Sequence, residues 1–187
     1  MFHRVRIQAR VVVLMLIVAA TGAGGQWFGV SASGSLAWQE FEGLPAASSP
    51  PSHRSAYGVG LVAGIPLRQW LGVESGVWVV EKGHQNLSLK YLELPVLAEV
   101  SGPVAAGALR VGVRFGVAGA VRLSRDSATA TADIAGVVGV AIHAPRSRYP
   151  VALELRTTRG QRNAGSSAAI RRTNKTFGLV ATMFFGS

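Results

Sequence analysis

Ala108–Leu123 alternates for sixteen residues, and that alternation limits what the chain can become. One parity carries Leu109, Val111, Val113, Phe115, Val117, Val121 and Leu123. The other carries Arg110, Arg114 and Arg122 among glycines and alanines. A period of two puts these sets on opposite faces of one β-strand. Strands of soluble domains usually run about five or six residues, so this one is long.

The same split recurs along the chain. Leu92, Leu94, Val96, Ala98 and Val100 oppose Tyr91, Glu93, Pro95, Leu97 and Glu99. Leu71, Val73, Val77 and Val79 oppose Glu74, Gly76 and Trp78; Val151, Leu153 and Leu155 oppose Glu154 and Arg156. Strands are expected near 26–36, 55–65, 69–80, 87–100, 105–123, 128–143, 149–158 and 170–185. Short proline-containing links are expected at Ile65–Arg68, Ser101–Pro103 and Ala144–Arg148. They alternate with longer or more polar connections at Ala37–Arg54, Glu81–Asn86, Ser124–Ser127 and Arg159–Ala169. An even strand number with short turns at one end and longer loops at the other predicts an eight-stranded antiparallel up-and-down transmembrane β-barrel.

Composition agrees. Of 187 residues, 49% are hydrophobic, 15% charged and none is cysteine, so disulfides and thiolate metal sites are excluded. The start of the chain reads differently from the rest. Arg4, Arg6 and Arg10 precede the apolar run Val11–Ala20 and the small residues Thr21–Gly25. That order is expected of a cleaved secretory signal peptide over 1–23, leaving a barrel domain over 24–187. Ten apolar residues are too few for a spanning helix, which needs about twenty.

Alternation alone does not say which face is wet. Glu74, Glu93, Glu99, Asp133 and Glu154 share a face with Arg110, Arg114, Arg122 and Arg156, among many small residues. A soluble exterior would carry denser charge and more lysine. The pattern suits the crowded lumen of a small barrel, with the Val/Leu/Ile/Phe face toward lipid, and predicts a structural ion-pair network inside. Trp27, Phe28, Tyr149 and Phe185 are expected in an aromatic girdle on the turn side. Trp70 and Trp78 fall on the inward parity, and Lys90, on the apolar parity near a strand end, is placed to snorkel. The alternative is a soluble periplasmic lipocalin-like barrel binding a small apolar ligand.

Glu74–Gly83, with Lys82-Gly83, followed by Lys90–Glu99, with Tyr91-Leu92-Glu93-Leu94-Pro95, resembles the PorT-like family of outer-membrane β-barrel domains. In that family a strand ending in a Lys-Gly loop precedes a Tyr-Leu-Glu-Ile-Pro strand, and a glycine-rich strand follows, here Val104–Ala120. The resemblance implies an eight-stranded barrel of the Gram-negative outer membrane, with a few members tied to secretion or gliding machinery.

Chemistry is sparse. His53 and Ser55 stand two apart with Glu40 and Glu42 nearby, resembling the His-x-Ser pair of barrel lipid A deacylases, which makes a lipid hydrolase a distant third reading. His84 and His143 are expected on opposite sides of the membrane, so they make no shared metal site. No P-loop occurs, and Gly58-Val59-Gly60 lacks the helix a nucleotide turn requires. Catalytic, cofactor-binding and metal residues are therefore expected to be none. The net charge is +10, but export argues against nucleic acid. Arg54, Lys82, Arg125, Arg159, Arg162, Arg171, Arg172 and Lys175 are expected at the outer rim, where they could meet lipopolysaccharide phosphates. The expected role is structural or interaction-based, with outer-membrane lipid and an envelope protein as partners and no wide diffusion pore.

Overall fold

The computed structural model describes residues 26–42, 53–84, 87–123, 132–147, 149–161 and 171–185. The signal segment expected over 1–23, together with Arg125 and Arg162, lies outside the described residues. Eight strands follow in order: β1 Trp27–Glu42, β2 Arg54–Arg68, β3 Leu71–His84, β4 Leu87–Val104, β5 Leu109–Arg122, β6 Ala132–Ala144, β7 Val151–Gly160 and β8 Arg171–Phe185. Each pairs antiparallel with the next, and β8 returns to β1 from Phe28↔Phe185 to Glu42↔Arg171, closing the barrel. Closure leaves no unpaired sheet edge for hydrocarbon to meet.

The two faces fall as the parity predicts. Val113, Phe115, Val117, Val138, Val140, Leu155 and Leu179 are among the exposed large hydrophobics on the outside. Glu74, Glu93, Arg114, Asp133 and Glu154 are buried in the lumen. This polarity overturns the lipocalin-like alternative, in which the apolar rows would line the cavity. Inside, side chains alternate large with small. Trp78 lies over Gly60, where a Cβ would sit 2.5 Å from the indole ring, and packs with Val62 and Val180.

Several boundaries differ from the sequence reading, each for a physical reason. Ser101–Pro103 is not a turn: β4 runs through it to Val104, with Pro103 opposite Arg110. Ile65–Arg68 is likewise strand, with the register shift between Pro66 and Arg68 absorbing the proline. The turn is Gln69–Trp70, so Trp70 is exposed rather than inward. Glu81–His84, expected in a loop, stays paired to Leu87–Lys90, because a polar residue is at home in a lumen. Ala37–Glu42 extends β1 against β8 in the same way. Of the expected girdle, Phe28, Tyr149 and Phe185 are exposed. Trp27 instead turns inward and meets Phe184 edge-on at 4.7 Å.

The β4–β5 link is a 3-10 turn, Ala105–Gly107. Ala105 and Ala106 sit at φ 50° and 55° there, in the left-handed region that crowds a Cβ at about 1–2 kcal/mol per residue. Ala106→Gly is expected to raise the urea midpoint in lipid vesicles, corresponding to a gain in unfolding free energy of up to about 1 kcal/mol once the freer unfolded chain is subtracted. A lowered midpoint would contradict this.

Candidate functional site

The lumen centres on Arg114, which is 1% exposed. Its Nε donates to Glu99 Oε2 at 2.7 Å, and its Nη1 lies 3.0 Å from both Glu74 Oε2 and Glu154 Oε2. Arg156 forks onto Glu154 through Nε and Nη2, both at 2.8 Å, and its guanidinium lies 5.4 Å from the centre of the Trp78 ring. His143 Nε2 is 3.0 Å from Glu99 Oε1. The fork geometry of guanidinium suits this role, because several carboxylates can share one planar donor set. Buried charges of this kind are tolerable only when paired. Here they come from β3, β4, β5, β6 and β7.

A second pair, Lys82 with Glu93, lies nearer the loop end, and the Lys82 ammonium is 5.5 Å from the centre of the Tyr91 ring. Lys82 is therefore not a rim residue: it is buried in the lumen. Its parity with Glu74, Gly76 and Trp78 carried that signal once β3 is extended. Arg110 also departs from the expected network. It donates to the Gln69 carbonyl and, at 3.1 Å, contacts Ser101 Oγ, bracing the turn end.

These charges divide the interior. On the loop side a pocket of about 50 Å³ lies among Trp78, Lys82, Glu93, Arg156 and Thr158. On the turn side a vestibule of about 470 Å³ is lined by Trp27, Phe184, His143, Glu74, Glu99 and Arg110. The Arg114 cluster stands between them.

The hydrolase constellation is not assembled among the described residues. His53 meets Trp38 edge-on at 5.2 Å, Ser55 is exposed beside Leu36, and no hydrogen bond joins His53 to Ser55. Glu40 is engaged elsewhere, 2.7 Å from Lys175 Nζ and 3.6 Å from Arg159 Nη2. His143 belongs to the turn-side half, whereas His84 ends β3 at the loop side, so the two do not meet.

The loop-side rim carries its own charges. Arg54 pairs with Glu81 at 3.5 Å. Arg159 and Lys175 stand opposite each other on β7 and β8, with the Arg159 side chain 60% exposed. Arg171 and Arg172 open β8 at the same end.

No family model matches the chain, and no curated protein matches it. Solved structures do. Neisserial surface protein A is 11% identical, the match covering 88% of this chain and 99% of that one at a TM-score of 0.55. The outer membrane protein OprG from Pseudomonas aeruginosa is 12% identical, covering 88% and 97% at 0.51. At such identities the likeness establishes the fold.

Proposed function

We propose that the chain is an integral outer-membrane barrel, exported by its first 23 residues, whose role is structural or interaction-based rather than catalytic or conductive. The observation that carries this is the inverted polarity: an apolar wall faces outward around a lumen filled by paired charges. Such a wall is stable only in lipid, and the Arg114 cluster occupies the middle of the lumen. The likeness to two barrels of the outer-membrane kind supports the location. The resemblance to PorT-like domains is supported by Lys82, Glu93 and Tyr91 of its shared motif meeting as one lumen unit.

The working surface is the loop-side rim, where Arg159, Arg171, Arg172 and Lys175 favour anionic lipopolysaccharide phosphates. The test has two stages. The protein should stay in the membrane pellet after carbonate washing and change gel mobility on heating; recovery in the soluble periplasm would remove the reading. Neutralising Arg159, Arg162, Arg171 and Arg172 together should then weaken lipopolysaccharide binding without altering heat-modifiable mobility. Unchanged binding would leave an anchoring role without this ligand.

A further inference from the structure

On the lipid-facing wall, β5, β6 and β7 shape a shallow, open groove of about 410 Å³ lined by Phe115, Val117, Val138, Thr157 and Arg159. It exists because Gly136 occupies an outward position. Gly136 pairs with Val117 on one side and Arg159 on the other. A Cβ at Gly136 would meet only Gln161 Nε2, at 3.9 Å. One rung therefore reads Val117, Gly136, Arg159, Lys175 and Trp38 across five strands. On the next rung toward the turn end, Phe115, Val138 and Phe177 are exposed and apolar, with Thr157 between the last two. The groove thus has an apolar floor and a cationic end.

We propose that this groove seats one acyl chain of a phosphorylated, multiply acylated outer-leaflet lipid, whose phosphate is held by Arg159 with Lys175. The inference rests on the membrane reading above and adds to it a defined site on the wall. Glu40 fixes Lys175 and touches Arg159 at 3.6 Å, yet Arg159 keeps most of its side chain exposed, so its remaining donors are available to a phosphate oxygen. Two cations against one carboxylate leave a positive excess. Charge complementarity and the adjoining apolar channel select a phospholipid-like ligand over free phosphate, which would use only the cationic end.

The experiment uses the full mature barrel in phosphatidylcholine nanodiscs doped with bisphosphorylated lipid A, the retained lipid being counted by native mass spectrometry. Heat-modifiable mobility is checked first on every sample, because its loss would indict the membrane reading and not the groove. Gly136→Leu fills the groove and fits the open space. It should lower lipid A retention about tenfold, the effect of losing roughly 1.4 kcal/mol. Arg159→Gln should do likewise, and dephosphorylated lipid A should bind the wild type no better than it binds Arg159→Gln. Arg68→Gln, an exposed cation at the opposite end of the barrel, should leave groove retention intact. Wild-type retention by Gly136→Leu in a folded barrel would overturn the proposal, as would competition by inorganic phosphate alone.

Discussion

Arg114→Met is expected to be the most damaging single substitution in the lumen. It leaves Glu74, Glu99 and Glu154 without the guanidinium they share, at 2.7–3.0 Å, with Glu74 and Glu154 buried. Breaking a buried ion pair from one side costs about 3–5 kcal/mol, and Arg156 reaches Glu74 only at 3.9 Å. The variant should show a much lower urea midpoint in vesicles at neutral pH, or fail to reach the heat-modifiable form. Acidification should restore part of the loss, because protonating the abandoned carboxylates removes their charge. Arg114→Lys should fall between, keeping a cation but not the fork. A neutral-pH loss of under about 1 kcal/mol for Arg114→Met would mean the carboxylates find other partners.

The second large effect is on the opposite face. Leu155 lies mid-strand on β7, between Val140 and Leu179, and is 54% exposed. If the wall faces lipid, Leu155→Arg should destabilise the barrel by about 2–4 kcal/mol in a bilayer, as charge at the midplane does. The same change on a water-facing wall would cost under about 0.5 kcal/mol. Lys90 and Arg159, nearer strand ends, mark the heights at which cations are accepted. Equal stability of Leu155→Arg and wild type in vesicles would exclude the lipid-facing assignment.

Much of the fold was legible because a barrel strand reports its two faces residue by residue. The parity of Leu153 and Leu155 against Glu154 and Arg156 needed no tertiary information. Strand ends were harder to read. Ser101-Gly102-Pro103 has turn chemistry, yet a long barrel strand carries it through, since pairing with Arg110–Gly112 outweighs local preference. Lys82 reads as a rim residue because the polar run Glu81–Asn86 looks like a loop; only the Glu93 carboxylate across the β3–β4 pair makes its place inside tolerable. His143 appeared isolated because its partner, Glu99, is distant in sequence. The groove at Gly136 was invisible for a different reason. A glycine on an apolar parity looks like a gap in the pattern, and only the register reveals Arg159 beside it.

The Arg114 cluster also bears on the order in which the wall is completed. Its members come from β3, β4, β5, β6 and β7, and Glu74, Arg114 and Glu154 are not on neighbouring strands. A sheet that has not yet curled would leave Glu74, Arg114 and Glu154 apart, so these longest-reaching contacts of the cluster reward only the curled wall. Half-assembled intermediates keep only the Glu99–Arg114 contact across β4–β5 and the Arg156–Glu154 fork within β7, and lose the contacts that join β3, β5 and β7. Unfolding in lipid should therefore be all-or-none, with strands released together rather than peeled away in turn.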